Sequence, residues 1–343
     1  MKVGYVAPMS IAAVSGGLRT QALQTTQHIS FFGIEPYLIS PWDDIKTLDL
    51  DLVHVFGASI ENVGIVEQVK ALGIPLFLSP IFFSNRNAAF IRRALKIEKL
   101  SSIFGSGIRS DFSVKSKLCS KADLNLPNTS AEANLIQQGF SISADKIETI
   151  PNGVEKRFSN ATPDLFLEKY GIKDFVLFAG QAAARRKNVI KLLEIADQIE
   201  AKVVIIGSFN QDKYGQKCLS LAQKAGNVTL VETLNHESEL LTSAYAASKV
   251  FVLPSQFETP GIAAMEAALT GSHIVITERG GTKDYFEGFA EFINPDSSKS
   301  LSTGLNNALK KEKSEELKNH ILTNFTWERV AELTAEQYKR LCS

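Results

Sequence analysis

One stretch constrains the fold more than any other: Lys249-Val250-Phe251-Val252-Leu253, followed at once by Pro254-Ser255-Gln256-Phe257-Glu258-Thr259-Pro260-Gly261-Ile262-Ala263-Ala264-Met265-Glu266-Ala267. The apolar run lacks the alternation of a half-wet strand and reads as a strand buried in a parallel sheet. A helix is expected after the loop, with Thr259 as N-cap, Pro260 at the first helical position and good helix formers from Ile262 to Leu269. Gly261 stands where a side chain would obstruct a ligand approaching the helix terminus. The N–H groups of Gly261, Ile262 and Ala263 then point out at the carboxyl end of the strand, where an α/β sheet binds its ligands. Glu258 and Glu266 bracket that terminus with seven residues between them. Spacing alone leaves open whether they meet a ligand or form a solvated loop and a wet helix face.

The same strand-then-helix rhythm runs through the chain. Strands are expected at the N-terminus up to Val6 and at Tyr37–Ile39, Leu52–Phe56 and Leu76–Ser79, with a helix from about Leu18 to Phe32. A second series reads Phe175–Ala179, Val203–Ile206, Val228–Val231, Val250–Leu253, Ile274–Thr277 and Glu291–Ile293. At 343 residues there is chain enough for two such domains, each with its own core. Pro151-Asn152-Gly153 is turn chemistry and closes the first. Thr129 or Ser130 is expected to cap the helix that follows Leu124-Asn125-Leu126. His54 interrupts a buried strand and reads as a satisfied core histidine.

Between the first strand and first helix of the second series lies Gly180-Gln181-Ala182-Ala183-Ala184-Arg185-Arg186-Lys187-Asn188. Basic residues at a helix start oppose the macrodipole, so a triplet there points to an anionic ligand such as a diphosphate. In the first series, Ser15-Gly16-Gly17-Leu18-Arg19 precedes the first helix. Paired glycines let backbone approach a ligand closely, though a tight strand-to-helix turn is the plainer reading.

These motifs resemble those of the retaining, GT-B-fold glycosyltransferases of family 4. The resemblance rests on Pro254-Ser255 with Glu258, Gly261 and Glu266-Ala267, on Ile150-Pro151-Asn152-Gly153-Val154, and on the basic loop ending in Lys187-Asn188. It implies two facing Rossmann-like, doubly wound domains. Residues 1–153 would form the acceptor side, 154–325 the nucleotide-sugar domain, and 326–343 a helix packing back on the first domain through Trp327, Val330 and Leu333. It implies that Gly16 and Gly17 face the donor diphosphate across the cleft, and that Arg186, Lys187, Gly261 and Ile262 bind it. Glu266 would hold the ribose, Glu258 would lie near the sugar, and the base would meet backbone around Leu234. Thr277 to Asp284 resembles the family's loop opposite the donor sugar. Two positions depart from the pattern: Gln181 stands where the family has an arginine, and Ser79-Pro80 where many relatives place a sugar-touching histidine.

Charge narrows the partners. Thirty-seven basic residues balance thirty-seven acidic ones, so nothing advertises nucleic acid. The segment Arg86–Lys121 nevertheless holds nine basic and two acidic residues, a net +7, interleaved with Phe82, Phe83, Phe90, Ile91, Leu95, Ile103 and Phe104. Such a patch suits an anionic membrane surface or a lipid diphosphate; a solvated helix face packing its apolar side inward is the competing reading. Gly105-Ser106-Gly107 lacks the third glycine and the preceding strand of a dinucleotide loop. Three scattered cysteines, an immediate start into a strand and no bilayer-length apolar run lead us to expect a cytoplasmic protein, peripheral at most.

The expected reaction is transfer of a hexosyl group from a nucleoside diphosphate sugar to a hydroxyl of a glycan or lipid-linked acceptor, in polysaccharide or glycolipid synthesis. Arg186 and Lys187 would stabilise the leaving diphosphate, with Glu258 as the third catalytic candidate. No metal or other cofactor is expected, because cationic side chains take that role. A sugar-nucleotide epimerase of the same architecture and an inactive binding subunit remain as alternatives. A glycoside hydrolase would use two carboxylates but has no need of the basic triplet.

Overall fold

Two parallel sheets organise the chain, each the core of a separate unit. The computed structural model describes residues 1–13, 16–103 and 110–342. One unit comprises Met1–Gly153 with Trp327–Ser343, the other Val154–Thr326.

In the first unit, β1 (Lys2–Val6), β2 (Glu35–Leu38), β3 (Leu52–Phe56), β4 (Leu76–Ser79) and β5 (Leu124–Asn125) pair in the order β2-β1-β3-β4-β5. All pairings are parallel. The helices between them are α1 (Gly17–His28), α2 (Val63–Ala71), α3 (Ala88–Ile103), α4 (Asp111–Lys121) and α5 (Ser130–Asn134). Val53, Val55, Leu76 and Leu78 are buried with Ile91 of α3 and Leu118 of α4, which is why these strands carry no alternation. Thr129 caps α5, its hydroxyl accepting from the Glu132 N–H. The Glu132 carboxylate in turn accepts from the N–H groups of Phe82 and Asn128, and burial pushes its pKa up to about 7.

His54 is the core histidine expected of it. Its ring nitrogens bond Tyr338 and Ser79, and burial pulls its pKa down to about 3. Ser79 thus spends its hydroxyl inside the sheet and is not turned toward a ligand. Tyr338 belongs to the last helix of the chain, Trp327–Cys342, which packs its buried face of Trp327, Val330, Ala331 and Ala335 with Val3, Ala22 and Phe56. A Cβ on Gly153 would stand 2.7 Å from the Trp327 ring, so the turn must end in glycine for the tryptophan to seat.

The second unit holds β6 (Phe175–Ala179), β7 (Val203–Ile206), β8 (Val228–Val231), β9 (Ser248–Leu253), β10 (His273–Thr277) and β11 (Glu291–Ile293), in the order β11-β10-β9-β6-β7-β8. Its helices are α6 (Asp164–Tyr170), α7 (Val189–Glu194), α8 (Lys213–Lys224), α9 (Glu239–Ala247), α10 (Ile262–Leu269), α11 (Lys283–Phe286), α12 (Ser298–Lys310) and α13 (Glu316–Asn324); the terminal helix of the first unit is then α14. Strand order reverses between β6 and β9, which pair from Phe175↔Ser248 to Leu177↔Phe251. Such a switch point opens a crevice at the carboxyl ends of the two strands.

Candidate functional site

The loops that leave β6 and β9 adjoin at this switch point, and they carry the basic triplet and the first glutamate. Arg185–Lys187 forms one 3-10 turn, and Asn188 follows in the left-handed region. Its side-chain amide donates to the carbonyls of Pro254, at 3.0 Å, and Pro295, at 2.9 Å. That stitches the triplet to the end of β9. The Gln256 N–H completes the seam by donating to the Arg186 carbonyl at 2.7 Å.

Glu258 is buried at the centre. Its Oε1 accepts from the Lys187 ammonium and the Ser255 hydroxyl, each at 2.6 Å, and the Arg186 guanidinium lies 3.7 Å away. Lys187 is nearly covered, whereas Arg186 is 45% exposed and stands by the Phe257 ring. The solvated-loop reading of Glu258 is therefore excluded. Arg185 turns away, toward Asp212 and the Tyr214 ring. One consequence escaped the sequence: part of the triplet's positive charge is already met by Glu258. Lys187 keeps two further N–H donors, since an ammonium has three.

The helix start differs from expectation. Gly261, not Thr259, is the N-cap; α10 begins at Ile262, with Thr259 and Pro260 left in the loop. Gly261 adopts a φ of +94°, and a Cβ there would press on Ile276 and Leu253 at 3.3 Å. Glycine is thus demanded by the left-handed turn and by the core side, rather than by room for a ligand. Ala264 and Met265 donate to the Gly261 carbonyl. Among the described residues, the N–H groups of Gly261, Ile262 and Ala263 have no acceptor. A helix terminus with free donors beside Arg186 and Lys187 is an anion site in the making.

Glu266 is buried in the second turn of α10, so the wet-face reading fails as well. Its Oε1 meets His236 Nε2 at 2.7 Å, and its Oε2 accepts from the Tyr245 hydroxyl at 2.9 Å. Burial, then the nearby Glu266 charge, hold the Tyr245 pKa well above its ordinary value. Leu234 lies half-buried two residues before His236, in the loop after β8. Neither His236 nor Tyr245 belongs to a sequence pattern, and only the tertiary contacts single them out. Glu155, His236 and Glu237 bring ligand-type atoms within 4.8 Å of one another. Arg157 bonds Glu155 there and Glu266 takes the histidine, so the group is a set of ion pairs and carries no metal reading.

The loop at Thr277–Asp284 joins the same site. Glu258 donates its N–H to the Arg279 carbonyl, and Gly281 donates to the Glu258 carbonyl. Gly16 and Gly17 lie in the first unit at the start of α1, where Cβ atoms would meet nothing within 4 Å. Ser15 falls outside the described residues. Arg19 donates to the Ile11 carbonyl at 2.7 Å.

Two parallel-sheet units, the second with a switch point between β6 and β9, define a GT-B fold. Solved structures share this fold. A sucrose-phosphate synthase from Thermosynechococcus elongatus matches with a TM-score of 0.76 at 16% identity, over 99% of this chain and 98% of that one. The Anabaena protein HepE in complex with UDP-glucose matches with a TM-score of 0.72 at 15% identity, over 99% and 100%. Residues 166–322 match the family model described as glycosyl transferases group 1. The chain is 24% identical over 267 residues to the sulfoquinovosyl transferase SQD2 of Arabidopsis thaliana, covering 73% of this chain and 46% of that protein. It is also 24% identical over 319 residues to a GDP-mannose-dependent alpha-mannosyltransferase of Corynebacterium glutamicum, covering 83% and 74%. By these matches residues 166–322, within the second unit, are similar to the glycosyl transferases of group 1. The chain spans 46% of SQD2 and 55% of the uncharacterized glycosyltransferase MJ1607 of Methanocaldococcus jannaschii, about half the length of each.

Proposed function

We propose that the protein transfers a hexosyl group from a nucleoside diphosphate sugar to a hydroxyl of a glycan or lipid-linked acceptor, with retention at the anomeric carbon. The observation that carries this reading is the convergence of Arg186 and Lys187 on Glu258, three residues before the free N–H groups that open α10. Breaking a glycosyl–diphosphate bond builds charge on the leaving oxygens, and fixed donors aimed there stabilise it. Arg186 and Lys187 hold the diphosphate together with Gly261 and Ile262. Glu258 keeps the two cations in place and lies toward the sugar. Glu266 takes the ribose, and the backbone around Leu234 takes the base. No residue here calls for a metal, because the cations are built in.

The test is a thermal-shift panel of uridine, guanosine and adenosine diphosphate sugars, followed by an assay of free nucleoside diphosphate with and without acceptor. Acceptor-dependent release with an unchanged anomeric configuration is expected. Interconversion of the donor sugar without transfer would select the epimerase, and binding without turnover the inactive subunit.

For the acceptor we propose a lipid-linked glycan at an anionic membrane surface, met by the outer face of α3. Phe90, Ile97 and Leu100 are 45%, 67% and 59% exposed there, with Arg93 and Lys96 exposed among them. Their three- and four-residue spacing puts them on one stripe, opposite Ile91 and Leu95, which pack inward. The rest of the basic segment contributes less than its charge implied. Phe82 is buried against Phe140, Lys115 and Lys117 pair with Asp111 and Glu67, and Arg92 bonds the Gln138 carbonyl. Phe104, Gly105-Ser106-Gly107 and Arg109 fall outside the described residues. Among the described residues no helix is long and apolar enough to cross a membrane. Co-sedimentation with anionic vesicles at low salt, lost in R93E/K96E, is expected; absence of binding leaves only the glycosyl transfer.

A further inference from the structure

Glu266 is gripped from two elements at once. Tyr245 reaches it from α9, and His236 reaches it from the loop after β8. A carboxylate offers about four acceptor directions, so with two taken, two remain for a pair of vicinal hydroxyls. The bond from His236 also fastens the loop carrying Leu234 to the helix carrying Glu266. The proposed base and ribose contacts thereby become one rigid piece.

The charges around the ring decide its state. Glu266 faces Nε2, while Glu237 and Glu155 lie 3.3 Å and 3.8 Å from Nδ1. Arg157 opposes them: its guanidinium lies 3.3 Å from Nδ1 and donates to the His236 carbonyl at 2.7 Å. Phe158 borders the ring with its centroid 5.8 Å away and adds no charge. Three carboxylates outweigh one guanidinium. The hydrogen bond to Glu266 first, then the charges of Glu266 and Glu155 with a hydrogen bond to Glu237, push the His236 pKa up to about 9 against the opposing effect of burial.

We infer that His236, as an imidazolium, is a positioning residue that orients Glu266 toward the ribose of the donor and makes nucleoside binding depend on its proton. This rests on the reading of Glu266 as the ribose contact. The experiment separates the two. Uridine, guanosine and adenosine diphosphates are titrated calorimetrically, and the tightest is taken forward with its 2′-deoxy counterpart and with inorganic pyrophosphate, which has no ribose. Wild-type protein, H236A and H236Q are compared between pH 7 and 9.5.

At pH 7, H236A should weaken the ribonucleoside diphosphate roughly tenfold or more, the usual consequence of losing a charge-assisted hydrogen bond, and leave pyrophosphate unchanged. Wild-type affinity should fall as pH passes about 9, the value at which the imidazolium is lost. H236Q, a neutral donor, should bind with intermediate affinity and lack that fall. Comparing variants on one ligand cancels ionisation of the base. A wild type that prefers ribose to deoxyribose, with H236A equal to it in affinity and pH profile, overturns the inference and spares Glu266. A wild type indifferent to the 2′-hydroxyl overturns the Glu266 reading and the inference with it. Should H236A fail to fold, H236Q and the wild-type profile still decide.

Discussion

The Lys187 ammonium donates to Oε1 of Glu258 at 2.6 Å, joining two residues 71 positions apart in the chain. The pair separates the roles of Lys187 and its neighbour Arg186. Lys187→Ala strands a buried carboxylate, a change that typically costs about 3–5 kcal/mol, so it should lower Tm as well as donor affinity. Arg186→Ala removes an exposed guanidinium and should leave Tm near wild type, while weakening diphosphate binding roughly ten- to a hundredfold. Thermal denaturation and calorimetric titration of both variants check this. Wild-type donor affinity in both variants would falsify the assignment of the triplet.

Gly280→Ala should be severe. A Cβ there would stand 2.0 Å from the Glu258 carbonyl oxygen, and Gly280 has a φ of +104°. Loop strain and displacement of Glu258 together should cost about 2–4 kcal/mol and abolish turnover. Chemical denaturation measures the first and nucleoside diphosphate release the second. A variant of normal stability and rate would show that this loop does not position Glu258.

Gly16→Ala and Gly17→Ala should do the opposite. Gly16 has extended backbone, and a Cβ at either position meets open space, so stability should stay within about 0.5 kcal/mol. The resemblance implies that backbone must approach the diphosphate there, so turnover should drop while Tm holds. Unchanged kcat/KM in both would make the pair a plain turn.

Stability should also depend on pH through His236. Its folded-state pKa, about 9, exceeds the ordinary 6.5, so folding binds a proton. The contribution is fully present below pH 6.5 and is lost as pH rises through 9. With the imidazole 43% exposed, solvent screening limits it to about 1 kcal/mol. Denaturant midpoints should decline between pH 7 and 9.5 in the wild type and decline less in H236Q.

Much of this molecule was legible in its residues. β6 and β7 begin and end where unbroken apolar runs begin and end, because a strand covered on both faces favours apolar residues at every position; β3, β4, β8 and β11 also have the bounds expected of them, although each carries one polar residue. β2 starts two residues earlier than expected, since an edge strand with exposed ends leaves no such mark. The start of α10 was misplaced because Thr259 and Pro260 have capping chemistry, whereas the actual cap depends on Gly261 turning left-handed above Leu253 and Ile276. Glu258, Arg186 and Lys187 stood out by spacing and local charge, and the family resemblance supplied the roles expected of them.

Sequence by itself thus determined the alternation of strands and helices, the two-unit organisation and the residue types gathered at the second sheet's carboxyl edge. Those depend on hydrophobic periodicity and turn chemistry, which are local. The pairing of Lys187 with Glu258, the stitching by Asn188, the inward turn of Ser79 to His54 and the grip of His236 and Tyr245 on Glu266 were decided by tertiary structure alone. Each joins residues brought together by strand order, or buries a polar group whose cost falls only when a distant partner arrives. Local pattern carries no record of such partners.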